Sequence, residues 1–582
     1  MSQTLKKDYV ILAGILIFGF LLRIYHLDTY SIFFDEKSTM LVSQGIVLEG
    51  ANQKDVFLAP TFTPAQFWSH KSIDDYYEAM TRSDIGNSPF YYLLLHIWMD
   101  IFGLSDFSAR FFSVIFSMLI IGATYFFGRR FFSSNTGLIA AAIVAVEPIF
   151  IAYSHQARNY SLTFLLTLLA THFFLQIIED KADRRNTLLL YVGYILTSGL
   201  GLLSHFLTIS VLLTHGIYAL LFLRSISGWV KMAISGVLSL SGITWWLLFG
   251  GGKYTLFSLN HQAVLYKKMA DTNDHTFGVI LPATVKNVFL KSIPLFTDLI
   301  VFTNGLTDAL VGRKNMILAI AIGIILIIWF RTRTKINIPV WLNQVFPYLL
   351  LLAGFLFYSN HRFQFCILSV SIFALSFIYD IHVNASNQQK KRLWLLYLMG
   401  TVPTLFLILM SFKNGHTYAI NQQRYSGFSF PYVIILLSLL LQYYTSLPGT
   451  VRTLVFLFLT IQFYFVGQRL LEFYEDRSPK YGYFLTPRPA NPYHKAARKI
   501  SAMYQKGDTV LYPVKYLVMK SEMDRTFLPY SVMDAQITNL YLPKDAQFVQ
   551  RVDTTQTDRI LIKRNGKKLE IINLKGQRAG ND

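Results

Sequence analysis

The chain has 582 residues, of which 53% are hydrophobic and 16% aromatic, and only 15% carry charge. Soluble globular domains carry about a quarter charged residues, so the composition points to lipid as the main solvent. The net charge of +20 is spread in short groups between apolar runs rather than gathered on a basic face, which argues against a nucleic-acid partner.

A bilayer core needs roughly 20 apolar residues of helix. Runs of that length begin near Tyr9, Phe107, Thr136, Ser161, Leu188, Phe206 and Met232, and again near Met316, Trp341, Phe365, Leu393, Tyr432 and Thr453. The expectation is a polytopic α-helical membrane protein with about 13 transmembrane helices. Lys6-Lys7 ahead of the first run, with no small-residue cleavage site after it, reads as a retained anchor rather than a signal peptide. Arg129-Arg130, Lys181, Arg184-Arg185, Arg224, Lys231, Arg331, Arg333, Lys335, Lys390 to Arg392 and Arg452 all fall on one side of that count. Positive charge in short loops marks the cytoplasmic side. The expected location is therefore the inner (plasma) membrane with a cytoplasmic N-terminus, and the long segments lie outside.

The first outer loop, residues 27–106, is the unusual one. Between Asp28 and Asp84 it holds nine acids against four bases, in a chain that is otherwise strongly basic. Asp35-Glu36 opens it, a pair that can serve as a general base or hold a divalent cation. The loop closes on an apolar aromatic run from Asn87 to Trp98, short for a span and suited to an interfacial helix. Past Arg469 the composition turns soluble. Asn491 to Tyr504 reads as a helix, and Thr509–Tyr512, Arg559–Ile562 and Lys568–Ile572 as strands. The expected division is a transmembrane domain at 1–468 and an extracytoplasmic α/β domain at 469–582. The single cysteine, Cys366, lies in an apolar run and excludes an internal disulfide framework.

Ionisable groups at membrane depth are costly and therefore candidates for function. Besides Asp35-Glu36, three groups fall on the same outer side: Tyr153 to Tyr160 with His155 and Arg158, Ser204-His205, and Gln422 to Tyr425 with Arg424. Arginine offers a planar fork of donors suited to phosphate, and aromatic rings suit a sugar face.

The ordered set Phe34-Asp35-Glu36, Ser88 to Tyr92, Phe102 to Phe111, Phe127 to Phe132, Glu147-Pro148 and Tyr153 to Tyr160 resembles the polyprenyl-phosphate-sugar glycosyltransferases of the class C membrane fold. That group includes protein O-mannosyltransferases and lipid A aminoarabinose transferases. The resemblance covers residues 8 to 225, with Arg424-Tyr425 matching a later feature. It implies an inverting transfer of a sugar from a polyprenyl-phosphate donor to a protein, lipid or glycan acceptor. Asp35 would be the base, with Glu36 beside it as a supporting or metal-binding carboxylate. Arg158 and Arg424 would hold the phosphate, and Tyr160, His155, His205 and Tyr425 would line the donor pocket. Two departures stand out. The family's His-Pro-Pro-Leu is Asn87-Ser88-Pro89-Phe90, and its Glu-Ala-Arg-x-Tyr begins with Gln156. The second removes an acid that could share a metal with Glu36, so no cofactor is assigned and a divalent cation is left open. The rival readings are a polytopic transporter or flippase of lipid-linked sugars, and a polymerase or ligase of surface polysaccharide.

Overall fold

In a computed structural model of the protein the apolar runs fold as helices. The structure describes all residues except 1–2, 70, 84–87, 180–183, 275–277, 301–312, 334, 336–338, 359–360, 422, 479–485, 515–527, 529 and 579–582. Asp84, Asn87, Lys181 and Gln422, and the Ser359-Asn360 break between two expected spans, therefore lie outside the described residues.

The chain enters on α1 (Gln3–Ile24) and crosses to the acidic loop, whose first helix is α2 (Phe34–Ser43). The aromatic run forms α3 (Pro89–Phe102), a 14-residue helix with Tyr91, Tyr92, Leu95 and Met99 buried and Leu93, Ile97 and Ile101 exposed. There follow α4 (Asp106–Phe131), the pair α5 (Ser134–Val146) and α6 (Pro148–Ser154), α7 (Tyr160–Glu179), α8 (Arg184–Ser204), α9 (Ile209–Phe222) and α10 (Ile226–Phe249). Among the described residues, α11 (Thr255–Thr272) and α12 (Val285–Asp298) precede the second group of spans. That group is α13 (Arg313–Thr332), α14 (Val340–Phe357), α15 (Arg362–Leu375) running into α16 (Phe377–Asn384), α17 (Asn387–Asn414), α18 (Phe430–Thr445) and α19 (Gly449–Tyr474).

Among the described residues ten helices are long and apolar enough to cross a membrane, or eleven if the bent pair α5–α6 counts as one span. The expected thirteen is not reached on these terms, and the reason is local. The first run carries Lys6, Lys7, Asp8 and Arg23 within α1. The run from Phe206 is interrupted by a short 3-10 turn and leaves a helix of 14 residues in α9.

The bend between α5 and α6 is 56°. Proline lacks an N–H and forces the preceding residue out of the helical region, and Glu147 ahead of Pro148 is extended at φ −67°, ψ 120°. The break leaves helix-end carbonyls without partners. Arg23 of α1 supplies them: its guanidinium donates to Val144 O at 3.1 Å and Ala145 O at 2.9 Å, and to Ser117 Oγ at 2.8 Å. A charged donor to a buried carbonyl is worth about 1.5–3 kcal/mol. This buried arginine therefore fixes the angle at which α6 delivers His155 to Arg158.

Outside the bundle lies a four-stranded sheet with α20 (Pro492–Met503) and α21 (Met533–Leu540) packed on it. The strands are β1 (Thr509–Pro513), β2 (Gln550–Asp553), β3 (Arg559–Arg564) and β4 (Lys567–Asn573), in the order β2-β1-β3-β4. β1 and β2 are parallel, and the other two pairs are antiparallel. The three expected strands and the expected helix are present; β2 and α21 are additions. The edge strand β2 is not left open, because Phe62 of the first loop pairs with Gln550 through two backbone hydrogen bonds of 2.9 and 2.8 Å. Loop and sheet share one apolar core, in which Met40, Phe57 and Phe62 pack with Tyr493, Val510 and Ile560. An unpaired edge attracts other chains; here the loop pairs with its first residue.

Candidate active site

Helix α2 starts where its charges favour it. Asp35 and Glu36 occupy its first turn, where carboxylates meet the positive end of the helix dipole, and Glu36 accepts the Phe33 N–H at 3.2 Å. The two carboxylates then diverge.

Glu36 is buried. Arg110, in the first turns of α4, donates to its Oε1 and Oε2 at 2.8 Å each, and the Ala157 N–H donates to Oε1 at 3.0 Å. The same guanidinium donates to the carbonyls of Leu27, Tyr30 and Ser31. Burial alone would raise the Glu36 pKa, but the Arg110 charge and hydrogen bonds overcome it and hold the carboxyl below its ordinary value. With both oxygens occupied, Glu36 ties α2 to α4 and to the loop before α7, and Arg110 adds the segment between α1 and α2. Among the described residues no group of three His, Cys, Asp or Glu is arranged to hold a metal ion.

Asp35 is placed differently. Its side chain is 33% exposed, and its Oδ2 lies 3.8 Å from Nη1 of Arg424. That is an ion-pair distance, too long for a direct hydrogen bond. Arg158 approaches from the other side: its Nη1 donates to Thr39 Oγ1 at 2.8 Å and points at the Asp35 carbonyl at 3.4 Å. Thr39 in turn donates to that carbonyl at 2.8 Å, so one turn of α2 carries both the carboxylate and the anchor for Arg158.

Arg424 sits in a 3-10 segment, Gln423–Ser429, ahead of α18. The segment lies hard against α7 at Gly427, where an added Cβ would meet the Phe164 ring at 2.1 Å, so only glycine fits. Its guanidinium stands over the rings of Tyr160 at 5.4 Å and Tyr425 at 5.1 Å. His205 packs between the same two rings, with centroids 5.9 Å from Tyr160 and 6.1 Å from Tyr425. Burial, with Arg158 and Arg424 adding to it, pushes the His205 pKa down to about 3, so the ring is uncharged. Asn159 laces the segments together: its amide donates to Ser88 Oγ at 2.6 Å and to the Ser204 carbonyl.

Six of the eight sequence-derived residues thus meet: Asp35, Arg158, Tyr160, His205, Arg424 and Tyr425. Two stand apart. Glu36 faces Arg110, and His155 packs on Phe473 at 5.2 Å and Tyr474 at 5.9 Å, lining a small cavity with His26 and Arg110. The structure adds Arg110 and Thr39, and an aromatic pair: Tyr266 of α11 stacks on Tyr418 at 4.2 Å, within electrostatic reach of Arg424 and Asp35. An arginine a few residues into an apolar span was the available signal for Arg110. Tyr266 and Tyr418 carry no such mark.

A polytopic membrane protein with a one-third-exposed carboxylate beside Arg424, on a helical turn that also anchors Arg158, has the groups for chemistry on an anionic substrate. Residues 86–248 match the family model described as dolichyl-phosphate-mannose-protein mannosyltransferase, which bears out over that range the resemblance read from the sequence. No curated protein sequence matches. Solved structures that match include ArnT from Cupriavidus metallidurans bound to undecaprenyl phosphate, at 13% identity and TM-score 0.37, covering 93% of this chain and 86% of that one. The apo form of the same protein matches at 14% identity and TM-score 0.33, over 78% and 85% of the two chains. The Archaeoglobus fulgidus oligosaccharyltransferase matches at 13% identity and TM-score 0.42, over 86% of this chain and 58% of that one.

Proposed function

We propose that the protein is an inverting glycosyltransferase that moves a hexosyl or pentosyl group from a polyprenyl-phosphate donor to an acceptor hydroxyl at the extracytoplasmic face. The observation that carries this reading is the Asp35 carboxylate 3.8 Å from Arg424, on the same helical turn that anchors Arg158. The family model over residues 86–248 supports the substrate class.

In this reading Asp35 takes the proton of the acceptor hydroxyl, and that oxygen attacks the anomeric carbon from the face opposite the phosphate. The bond from the anomeric carbon to the phosphate oxygen breaks, and its electron pair leaves with the phosphate. Arg158 and Arg424 meet that developing charge; fixed positive groups aimed at developing charge are usually the largest catalytic contribution. Neutral His205 and the rings of Tyr160 and Tyr425 keep Arg424 oriented and offer flat apolar surface to a sugar. The cytoplasmic N-terminus, inferred from the Lys and Arg distribution, puts the site outside, where a lipid-linked sugar takes the role of a nucleotide sugar.

The test is an incubation of purified protein in detergent with a radiolabelled polyprenyl-phosphate sugar and a membrane extract. Label should pass to a new, non-donor product. In reconstituted vesicles, label that crosses the bilayer with the donor unchanged would overturn transfer in favour of transport.

A further inference from the structure

We propose that the protein holds an anionic phospholipid by its phosphate at the face opposite the Asp35 site, between the far ends of α4 and α7. A cavity of about 550 Å³ opens there, lined by Phe126, Arg129, Arg130, His172 and Gln176. That size suits a headgroup, since small-molecule sites span about 300–1,000 Å³.

Its depth follows from helix geometry. Arg110 and Arg129 are both on α4, 19 residues apart, which at 1.5 Å per residue is roughly 28 Å. The hydrocarbon core is about 30 Å thick. With Arg110 at one interface beside Glu36, Arg129 reaches the other interface, at the level of lipid phosphates.

The lining has the chemistry for that ligand. Arg129 donates to the Tyr9 hydroxyl at 3.0 Å and lies over the rings of Tyr9 and Tyr125 at 5.6 and 6.0 Å, groups that orient a guanidinium without cancelling its charge. Arg130 is exposed at the same rim. His172 is held edge-on by Phe127 and Phe131 at 5.9 and 5.3 Å and is hydrogen-bonded to Gln176 at 2.9 Å, so a polar pair is fixed across from the arginines. Phe126 is 48% exposed and supplies an apolar wall along which an acyl chain can run. A soluble anion would use the arginines and leave that wall wet; a phospholipid uses both. Cations at a helix C-terminus and the preference for positive charge on one membrane side account for two arginines. They do not account for the cavity or for the fixed His172–Gln176 pair, whereas basic pockets between spanning helices are recurrent headgroup sites.

Native mass spectrometry of the full-length protein, released from nanodiscs of mixed phosphatidylglycerol and phosphatidylcholine, tests this. The wild type should retain one phosphatidylglycerol with at least tenfold preference over phosphatidylcholine, undiminished by millimolar inorganic phosphate. Arg129→Gln with Arg130→Gln should abolish the preference. Arg129→Lys with Arg130→Lys, which keeps the charge needed for insertion, should reduce it, and so should Gln176→Leu, which leaves both arginines in place. Equal retention of the two lipids by the wild type, or an unchanged preference in the glutamine variant, would overturn the proposal. So would displacement of the lipid by inorganic phosphate, which would mark a soluble anion as the occupant.

Discussion

Asp35 and Glu36 are consecutive residues, yet one carboxylate is locked by a two-pronged bond to Arg110 and the other stands 3.8 Å from Arg424 with a third of its surface open. Successive residues on a helix point about 100° apart, and α2 uses that angle to separate a fastened carboxylate from the one proposed as the base. In Asp35→Asn the proposed proton acceptor is lost while the backbone carbonyl at that position still receives Thr39 and Arg158. Sugar transfer should fall below detection, with the melting temperature within a degree or two of wild type. Transfer at the wild-type rate by this variant would remove the general-base role.

The two arginines should separate in kinetics. Removing one fixed donor to developing charge typically costs about 10²–10³ in rate. Arg424→Ala, which also strips the cation from over Tyr160 and Tyr425, is expected to lower kcat by about 100-fold. Arg158→Ala should cost at least about tenfold. Arg424→Lys keeps the charge but loses the planar fork that lies on the two rings, and should recover only part of the activity. Single-turnover measurements with a labelled lipid-phosphate sugar check all three.

Much of this site was legible in the sequence because membrane-embedded charge is rare and therefore conspicuous. Asp35, Arg158 and Arg424 stood out against long apolar runs and do converge. The length of the apolar runs likewise gave the helices, and the β-rich run Thr509–Tyr512 gave a strand. What was not legible depends on tertiary pairing. Nothing local says that Glu36 pairs with Arg110, 74 positions away, while its neighbour does not. Pro148 marks a break, but nothing local says that the next helix leaves at 56° or that Arg23 from α1 caps the break. His155 was grouped with Arg158 by proximity in the chain, but three residues of non-helical turn are enough to face them apart.

Breaking the Glu36–Arg110 pair should be a stability defect before it is a kinetic one. Removing one partner of a buried ion pair strands the other charge and costs about 3–5 kcal/mol. Glu36→Gln should lower the melting temperature by several degrees, and Arg110→Met, which strands the carboxylate and frees three carbonyls, should lower it further. The pH dependence has a definite sign. Because the folded-state pKa of Glu36 is depressed, its contribution is present above the ordinary carboxylate pKa of about 4.3 and is lost as pH falls through the lower folded value. Between pH 5 and 8 this pair should add no slope to stability.

Glu49 should act in the opposite sense. It accepts Ser531 Oγ at 2.8 Å and the Val532 N–H at 2.9 Å, tying the first loop to the segment before α21. Burial outweighs those bonds and raises its pKa to about 7. The folded state therefore binds the proton more tightly than the unfolded chain does. The contribution is complete below the ordinary carboxylate pKa and drains away as pH rises toward 7. Thermal unfolding should show stability declining across that window, and Glu49→Gln should flatten the decline and leave the protein more stable than wild type at pH 8. A pH profile identical in the two proteins would show that Glu49 is ionised when folded.

The C-terminal tail bears on α2 from outside. Lys37, wholly buried and two residues past Asp35, donates through Nζ to the Arg578 carbonyl at 2.5 Å. Arg578, itself 2% exposed, is gripped by Asp534 of α21 at 3.0 Å and Asp558 at 2.9 Å. On the other flank Asn491 and Tyr541 bond Asp106, at the start of the helix that carries Arg110. The α/β unit thus fixes both the helix that carries Asp35 and the helix that fastens Glu36. Arg578→Ala leaves two acids facing each other without their cation, a change of about 3–5 kcal/mol if the site stays closed. It is expected to lower the melting temperature and to reduce kcat more than it raises KM, because the displaced element is the turn bearing the proposed base. Arg578→Lys should restore most of the stability and part of kcat. Were kcat unchanged in Arg578→Ala despite the lost stability, the tail would be a staple for the α/β unit alone, with no hold on Asp35.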